Sequence, residues 1–479
     1  MNTPARTRFA PSPTGYLHVG GIRTALFAWL IARQTGGQFV LRLEDTDKKR
    51  EVVGAREHLM ESLKALNLQY DEGPDNGGPY GPYTQSERLD HYTKWAKKLI
   101  EAGRAYADPY TAEEVQAFRE EAQKNKQAFL YRHHRPENPP VWDGSQPLRF
   151  KSDPKAYAWH DDVMGDLSTG PEVIDDFILI KSDGYPTYNF SHVIDDVEMK
   201  ITHIIRGQEF IASTPNYLNL YDALGITRPH IATVPHILGP SGTKKLSKRD
   251  GAKDVLDYIR DGFLPETLVS FIATMGWNDG TEQEIFTQEE LVKVFSLDKV
   301  QRSGARFDEQ RLQWMNGQFI RKLTPEELLE RAQPFLSSEA RAANPKYLQQ
   351  VMTLVQDRMK TLADLPVLTS YFFTEPAVNL SLITDNKQLK KLTRDEVIAF
   401  LQAAHAQLEK TEEFTTEAIQ EVLNTLLETT GQKPGILFSL IRVAVTWAPF
   451  SPALNDTLSL LGKPTTLRRL QAAIASYEV

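Results

Sequence analysis

A loop rich in proline and glycine lies near the N-terminus and reads Pro11-Ser12-Pro13-Thr14-Gly15-Tyr16-Leu17-His18-Val19-Gly20-Gly21. Residues 6–10 before it predict a strand, and apolar residues at helical spacing over 22–32 predict a helix after it. A strand, a glycine-containing loop and a helix in this order are typical of a nucleotide site at the edge of an α/β sheet. Free N–H groups and the helix dipole at such an N-terminus favour a bound phosphate, which the glycines allow to approach closely.

The loop matches neither GxGxxG nor GxxxxGK[ST], so it is neither the dinucleotide fingerprint nor a P-loop. One imidazole, His18, stands beside two glycines, Gly20 and Gly21. A tight turn around a buried histidine would be the ordinary explanation of an isolated His-x-Gly. The length of the whole pattern favours a ligand site instead.

The composition excludes several kinds of protein. The chain has 479 residues, which is room for roughly three domains. It has no cysteine, which excludes disulfides and thiolate metal sites. No apolar run approaches the ~20 residues of a membrane span, and the N-terminus has no apolar signal core, so we expect a cytoplasmic protein without membrane attachment. The net charge of −8 argues against a generally basic nucleic-acid binder, although an acidic protein can hold RNA on one basic face.

Further strands are predicted along the first half of the chain. Residues 38–43 have a buried-strand pattern that ends in Glu44, where open α/β sheets bind ligands. From about 83 to 185 the alternation of strands and helices becomes irregular, which indicates an inserted domain. Its basic patch at 132–135 could meet an RNA phosphate or be an ordinary solvated loop. The main sheet is expected to resume at 176–181.

Two more strands are predicted at 201–205 and 231–238, and after them the sequence pattern changes from strands to a basic loop and then to helices. A basic loop over 239–251 follows, and lysines bracketed by glycines in this way can close over a triphosphate. A Thr-Pro-Glu-Glu sequence at 324 is a capping-box helix start. Helical periodicity then predicts an all-helical region over 324–479.

Four motifs together resemble a known family. The first loop resembles the HIGH signature of class I aminoacyl-tRNA synthetases in its glutamyl form, PSPTGxxHxG, which lacks the second histidine. Residues 245–249 (KLSKR) resemble the second class signature, KMSKS, and residues 183–196 (DGYPTYNFSHVIDD) resemble a segment of the glutamyl enzymes. Residues 85–88 (QSER) also resemble that branch, although a helix start capped by Ser86 explains them equally well. The chain is therefore identified as a member of the bacterial-type glutamyl-tRNA synthetase family.

The resemblance implies a Rossmann-like α/β catalytic domain with an inserted α+β domain, followed by an all-α C-terminal anticodon-binding region. The implied boundaries are residues 1–82 and 186–241 for the catalytic domain, 83–185 for an insertion that binds the acceptor end, 242–323 for a stem-contact domain with the KLSKR loop, and 324–479 for the anticodon-binding region, with two helical bundles.

The resemblance also implies the residues that contact each substrate. His18, Lys245 and Lys248 are the expected catalytic residues: His18 would hold phosphates of ATP, and the two lysines would stabilise charge as the α-phosphorus is attacked. The expected ATP contacts are Pro11, Ser12, Thr14, His18, Gly20, Gly21, Glu209, Leu246, Ser247 and Lys248. The expected glutamate contacts are Arg8, Ala10, Ser12, Glu44, Tyr188, His192 and Arg206.

Within the glutamate set, the planar guanidinium groups of Arg8 and Arg206 suit the substrate's side-chain carboxylate. Tyr188 would add a hydrogen bond, and Glu44 would pair with the substrate ammonium. Many family members have Asn at the position of His192, so this contact departs from the family pattern.

The implied substrates are L-glutamate, tRNA(Glu) and ATP with Mg²⁺, and a monomer is expected. The expected tRNA contacts are Gln356, Arg358 and Arg442. In the family an arginine near residue 356 goes with strict use of tRNA(Glu), so Gln356 favours the relaxed type that also charges tRNA(Gln). Some members bind zinc through cysteines of the insertion; residues 106–110 have none, so no zinc or other protein-held metal is expected.

Other functions compete with this one. A glutaminyl enzyme shares the first half but builds its anticodon part from β-barrels, whereas 324–479 has helical periodicity. A shortened paralogue that glutamylates a tRNA base lacks that region, and a small nucleotidyltransferase would leave it unexplained. A non-catalytic or altered-specificity paralogue that binds RNA is the main alternative, which the presence of His18, Lys245 and Lys248 opposes.

Overall fold

The computed structural model describes residues 3–246, 253–448 and 450–478. The chain forms two compact units. The first comprises Met1–Tyr258 and Pro265–Glu309, and the second comprises Ile259–Leu264 and Gln310–Val479. The finer domain boundaries expected from the sequence stay predictions.

All strands of the described residues belong to the first unit. They are β1 Arg6–Phe9, β2 Gln38–Leu41, β3 Ala105–Ala107, β4 Leu148–Phe150, β5 Tyr157–Asp161, β6 Gly165–Thr169, β7 Ile178–Ile180, β8 His203–Gly207, β9 His230–Val234, β10 Ile237–Leu238 and β11 Ala305–Arg306. The helices that begin in this unit are α1 Val19–Thr35, α2 Ala55–Ala65, α3 Leu89–Glu101, α4 Ala112–Lys124, α5 Tyr188–Glu198, α6 Thr214–Leu224, α7 Val255–Arg260, α8 Pro265–Thr274, α9 Gln288–Val294 and α10 Glu309–Lys322.

A parallel sheet in the order β2-β1-β8-β9 forms the centre of the first unit. In its register Arg8 lies opposite Val40, and Arg206 lies opposite Thr233. Parallel neighbours need a crossover, which α1 supplies between β1 and β2 and α6 supplies between β8 and β9. The carboxyl ends of all four strands therefore meet at one edge, as the strand–loop–helix pattern predicts.

Helix α1 packs against β1, β8, α8 and α9, so most of its faces are buried. This explains why its sequence is apolar almost throughout, with Ile22, Leu26 and Phe27 fully buried. The helix ends at Gly36, whose φ of 66° is left-handed. At Gly37 a Cβ atom would lie 1.8 Å from the carbonyl oxygen of Ala5, so the tight link into β2 requires glycine.

The prediction that the main sheet resumes at 176–181 is wrong. Strand β7 pairs antiparallel with β4 in a separate three-stranded sheet, β3-β4-β7, whose strands all lie within residues 83–185, the segment predicted to be an insertion. A short apolar strand has the same pattern whichever strand it pairs with, so periodicity could not identify its partner. Strands β5 and β6 form a further antiparallel pair.

Two buried aspartates tie the insertion together. The carboxylate of Asp108 accepts hydrogen bonds from Tyr131 and from Arg149, whose Nη2 lies 2.8 Å away. Asp176 accepts from both Nε and Nη2 of Arg135, at 2.7 and 2.6 Å. Because each buried carboxylate has a guanidinium partner, its charge is compensated inside the fold.

The described residues of the second unit form helices and the loops that connect them, with no strand. Besides α10, its helices are α11 Pro325–Ala332, α12 Ser338–Ala342, α13 Pro345–Val355, α14 Leu365–Phe373, α15 Ser381–Thr384, α16 Arg394–Lys410, α17 Thr416–Thr430, α18 Pro434–Thr446, α19 Leu454–Leu461 and α20 Lys463–Glu478.

The helix start predicted at Thr324 is confirmed, because its side chain accepts from the N–H of Glu327 and the Glu327 carboxylate accepts from the N–H of Thr324. Thr393 and Glu396 form the same capping box at the start of α16. Helix α13 packs against both α11 and α14, and α16 packs with α17, α18 and α20. None of the helices in the described part of the chain is long and apolar enough to cross a membrane.

Candidate active site

A cavity of about 440 Å³ lies at the carboxyl ends of the central strands. Most residues predicted to contact ATP or glutamate line it: Arg8, Ala10, Pro11, Ser12, Thr14, His18, Gly20, Gly21, Glu44, Tyr188, Arg206, Glu209 and Lys245. Leu246 is not among the lining residues; its N–H donates to the carbonyl of Ile237 at 2.8 Å. The predicted residues Ser247 and Lys248 lie outside the described residues.

The HIGH-like motif forms the N-terminus of α1. His18 is the N-cap residue, and its Nδ1 accepts a hydrogen bond from the N–H of Gly20 at 3.1 Å. A neutral imidazole that accepts at Nδ1 carries its proton on Nε2, which can therefore donate. At Gly20 a Cβ atom would come within 3.1 Å of Cε1 of His18, so glycine leaves the space that the ring occupies.

Arg8, near the end of β1, is buried but reaches the cavity. Its Nε donates to Oδ1 of Asp196 at 3.0 Å, and its Nη1 donates to the carbonyl of Ile205 at 3.3 Å. Both contacts fix the plane of the guanidinium group. Its Nη2 has no hydrogen-bond partner within residues 3–246, 253–448 and 450–478.

Arg206, in β8, is equally buried and lines the same cavity. Its Nη2 donates to the hydroxyl of Thr214 at 2.6 Å, while its Nε is buried without a hydrogen-bond partner among the described residues. Burial lowers the pKa of Arg206 below its usual value. Tyr188 contributes a phenol whose pKa is raised by burial, so this hydroxyl stays protonated. The wall of the cavity thus presents hydrogen-bond donors to an anion.

Glu44 supplies the opposite charge. Its Oε1 accepts from Nη2 and Nε of Arg42 at 3.0 and 3.3 Å. Burial raises the pKa of Glu44 to about 7, although Arg42 and Arg8 act in the opposite direction. The carboxylate is therefore ionised above neutral pH and can pair with a cation in the cavity.

The structure corrects the expectation for His192. Its ring stacks on Tyr188 with centroids 4.6 Å apart, on α5, and it is not among the residues that line the cavity. Its Nδ1 donates to the carbonyl of Tyr188 at 2.6 Å, and burial lowers its pKa to about 3. A neutral His192 therefore supports Tyr188 from behind, because its position one turn along α5 turns the ring inward.

Lys245 lies at the exposed side of the cavity. Its Nζ is 3.4 Å from Oε1 of Glu209, and Nδ1 of His236 is 3.7 Å from the other oxygen of Glu209. Both Lys245 and Glu209 are about half exposed, so this ion pair is weak and can exchange partners.

Sequence reasoning missed three buried residues next to the cavity and one in its wall. Arg42, Asp195 and Asp196 connect Arg8 and Glu44 to the core. Arg23 lines the cavity, and burial lowers its pKa to about 10. An arginine near the start of α1, just before its long apolar run, is a signal that could have identified Arg23.

The QSER segment also has a role that the sequence left open. Gln85 and Arg88 both bind Asp195, with Nε of Arg88 2.7 Å from Oδ1. Ser86 donates from its N–H and its hydroxyl to Asp45, at 2.8 and 2.6 Å. Ser86 thus does not cap α3, and the segment instead joins α3 to α5 and to the loop that follows β2.

The predicted tRNA contacts lie in the second unit and differ in their environments. Gln356 donates from its amide nitrogen to the carbonyls of Ile320 and Leu323, both at 2.8 Å, and so caps the end of α10. Arg358 is exposed. Arg442 is half-buried, and burial followed by the positive charge of Arg358 lowers its pKa. The two arginines are therefore near one another.

Residues 4–314 match the family model of the catalytic domain of class I tRNA synthetases (E and Q), and residues 327–474 match an anticodon binding domain. The chain belongs to the class I tRNA synthetases of this glutamate and glutamine group. The family and the fold class predicted from the motifs are thereby confirmed.

Within that class, the chain is similar to proteins named glutamate–tRNA ligase. That of Dehalococcoides mccartyi is 41% identical over 99% of this chain and 98% of its own length. That of Roseiflexus castenholzii is 41% identical over 98% of this chain and 96% of its own length. A crystal structure of the glutamate–tRNA ligase of Elizabethkingia meningosepticum, in complex with its amino acid, superposes with a TM-score of 0.88 at 32% identity and covers 99% of this chain and 100% of that one.

Proposed function

We propose that this protein is a glutamate–tRNA ligase, which activates L-glutamate with ATP and transfers the glutamyl group to the 3'-terminal adenosine of tRNA(Glu). The observation that carries the proposal is one cavity lined by two buried guanidinium groups, Arg8 and Arg206, and one buried carboxylate, Glu44. Glutamate has the complementary charges, namely a side-chain carboxylate and an ammonium group. The names of relatives about 40% identical over nearly the whole chain support the same substrate.

Recognition of glutamate follows from these charges. The guanidinium groups of Arg8 and Arg206 bind the side-chain carboxylate, with the Tyr188 hydroxyl as a further donor, and Glu44 binds the ammonium. Glutamine would leave a buried guanidinium facing an amide without a compensating charge. Discrimination against glutamine is therefore expected to be strong, because the cost of buried unpaired charge is large.

Activation consists of attack by the substrate's α-carboxylate oxygen on the α-phosphorus of ATP, with pyrophosphate leaving. The N-terminus of α1 and Nε2–H of His18 hold phosphate oxygens, and Lys245 compensates the charge that develops there. Lys248, in the undescribed part of the same loop, is proposed to act with Lys245. Glu209 is proposed to contact the adenosine.

In the second step the terminal hydroxyl of the tRNA attacks the carbonyl of the adenylate, and AMP leaves. No side-chain nucleophile is needed, because positioning and electrostatic stabilisation can carry both transfers. Mg²⁺ is proposed to arrive with the phosphates of ATP and to neutralise part of their charge.

For the tRNA, we propose contacts at Arg358 and Arg442. Two neighbouring arginines can attract a phosphate or a base edge of RNA. Gln356 is held at the end of α10 by two carbonyls, and as a glutamine it offers no guanidinium group to the tRNA. We therefore propose that tRNA(Gln) is charged as well as tRNA(Glu).

Three further expectations follow from the proposed function. The enzyme acts in the cytoplasm, where tRNA is charged. It is proposed to act as a monomer, as the family resemblance implies. It needs no zinc, because Asp108 and Asp176 hold the insertion through hydrogen bonds to other side chains.

The deciding experiment is aminoacylation with purified tRNA(Glu) and tRNA(Gln), Mg²⁺ and ATP, using labelled glutamate and, in parallel, labelled glutamine. The proposal expects glutamate on both tRNAs and glutamine on neither. No glutamate on either tRNA would favour the non-catalytic RNA-binding alternative. Glutamate on tRNA(Glu) alone would leave the ligase proposal intact and reject the relaxed specificity.

A further inference from the structure

The carboxylate of Asp196 connects two arginines in the buried layer beneath the cavity. Its Oδ1 accepts from Nε of Arg8 at 3.0 Å and from Nη1 of Arg42 at 2.8 Å. Only 2% of Asp196 is exposed, and the side chain of Arg42 is fully buried. One oxygen atom therefore holds two guanidinium groups that would otherwise repel one another inside the protein.

The two arginines connect Asp196 to groups of opposite charge in the cavity wall. Arg8 lines the cavity itself, with the carbonyl of Ile205 fixing its Nη1. Arg42 is behind the wall and donates from Nη2 and Nε to Oε1 of Glu44, which does line the cavity. A continuous chain of charge-assisted hydrogen bonds thus runs from Arg8 through Asp196 and Arg42 to Glu44.

The neighbouring acid, Asp195, serves a different set of partners. Its carboxylate accepts from Arg88, Gln85 and Tyr92, and it lies 3.6 Å from Nε of Arg42. It forms no hydrogen bond or ion pair with Arg8 within the part of the chain that the structure describes. Of the two adjacent acids on α5, Asp196 is thus the one that reaches both charges of the cavity.

We infer that Asp196 is a positioning residue that couples the two ends of the amino-acid site: it orients Arg8 toward the substrate's side-chain carboxylate and, through Arg42, orients Glu44 toward the substrate's ammonium. The inference rests on the proposed function. Asp196 does not touch the substrate; it acts by limiting the positions that Arg8 and Arg42 can take.

The charge of Asp196 is suited to this role. Burial alone would raise its pKa, but Arg8 and Arg42 lower that pKa to about 2. Asp196 is therefore an anion at every working pH. Its other oxygen, Oδ2, is buried without a hydrogen-bond partner among the described residues. The hydrogen bonds of this carboxylate are therefore those that Oδ1 accepts from Arg8 and Arg42.

The test is the variant Asp196→Asn, which keeps the shape of the side chain and removes its charge. The matched control is Asp176→Asn, which also removes a buried carboxylate paired with an arginine, but in the insertion. Aminoacylation is measured at varied glutamate and at varied ATP, with saturating tRNA(Glu), and thermal unfolding is followed for each protein.

For Asp196→Asn we expect the KM for glutamate to rise at least tenfold, the scale of one lost charge-assisted hydrogen bond, with the KM for ATP within about twofold of the wild type. For Asp176→Asn we expect a lower Tm but an unchanged KM for glutamate. If Asp196 had a merely structural role, both variants would lower the Tm and neither would raise the KM for glutamate selectively.

A double-mutant cycle with Arg8→Gln sharpens the test. If Asp196 acts in part by orienting Arg8, the rise in the KM for glutamate caused by Asp196→Asn should be smaller in the Arg8→Gln background than in the wild type. Should Asp196→Asn fail to fold, Arg42→Lys tests the same connection, because lysine keeps the charge but cannot bridge Asp196 and Glu44 in the same geometry.

An unchanged KM for glutamate in the folded variant would overturn the inference, and so would an equal rise of the KM for glutamate and the KM for ATP. These results are distinguishable from failure of the proposed function, since in that case the wild-type protein itself would not charge tRNA with glutamate.

Discussion

Arg206 donates a 2.6 Å hydrogen bond to the hydroxyl of Thr214, and among the described residues no carboxylate forms an ion pair with it. A buried guanidinium without an anionic partner carries an uncompensated charge, which an anion in the adjoining cavity can neutralise. Arg8, in contrast, already has Asp196. The unpaired arginine is therefore the one whose charge the substrate's carboxylate would compensate directly.

Replacing Arg206 tests this assignment. Arg206→Gln should raise the KM for glutamate on the order of 10- to 100-fold, the cost of hydrogen bonds to a charged group, and leave the KM for ATP nearly unchanged. Steady-state aminoacylation measures both constants. The control Arg104→Gln removes an arginine outside the cavity wall and should change neither. Equal losses for glutamate and ATP in Arg206→Gln would remove Arg206 from the carboxylate site.

Glutamate binding should depend on pH through Glu44. The pKa of Glu44 is raised to about 7 by burial, with Arg42 and Arg8 opposing the shift and Asp195 adding to it. Only the ionised form attracts the substrate's ammonium, so the KM for glutamate should rise as the pH falls below 7, by about tenfold for each pH unit. The rise should be absent in Glu44→Gln, whose KM is high at every pH. A KM for glutamate that stays constant from pH 8 to pH 6 would contradict the assignment.

Gly20→Ala should impair catalysis through His18. The added Cβ would lie 3.1 and 3.2 Å from ring atoms of His18, so the imidazole must move by a few tenths of an ångström relative to the phosphate-binding N-terminus of α1. We expect the kcat to fall about tenfold, as for displacement of one phosphate-binding donor, without loss of the fold. Gly15→Ala, in the same loop, is the control, because no atom lies within 4 Å of a Cβ there. Equal kcat values for the two variants would argue against a role for the position of His18.

Removal of metal ions should distinguish Mg²⁺ that is bound to ATP from a metal that stabilises the protein. Chelation with EDTA should stop aminoacylation, because ATP loses its Mg²⁺, and added Mg²⁺ alone should restore it. The Tm should stay the same, because Arg135 and Arg149 hold Asp176 and Asp108 in the insertion. A Tm that falls with EDTA and recovers only with Zn²⁺ would show a structural zinc.

Arg358→Gln should weaken tRNA binding. Loss of one phosphate contact should raise the Kd for tRNA(Glu) and lower the slope of log Kd against log salt by about 1. The exposed Arg394, at the start of α16, offers the control Arg394→Gln, for which we expect no change. Filter binding over a range of salt concentrations measures the Kd and its salt dependence for each variant. An unchanged Kd for Arg358→Gln would exclude Arg358 from the RNA surface.

Much of this architecture could be predicted from local sequence. The strand–loop–helix at the N-terminus, the capping box at Thr324 and the helical C-terminal third each depend on residues a few positions apart. The charge network could not be predicted in this way, because Arg8 and Arg42 meet Asp196 across 188 and 154 residues of sequence. Nor could the burial of His192, which depends on where α5 packs. Local patterns report periodicity, whereas these side chains depend on which distant element lies next to them.

The pairing of β1 with β8 has a consequence for synthesis of the protein. Thr7 lies opposite His203, and the N–H of Arg6 bonds to the hydroxyl of Thr202, 196 residues later. At about 5–20 residues per second on the ribosome, β8 is synthesised roughly 10–40 s after β1. During that interval β2 is the only partner of β1 in the central sheet, and the apolar face of α1 lacks β8. Since α8 and α9, which also cover α1, follow β8 in the chain, the apolar surface of α1 stays incompletely covered until residue 294 has been made, and a chaperone that shields short apolar segments would act on the nascent chain in that interval.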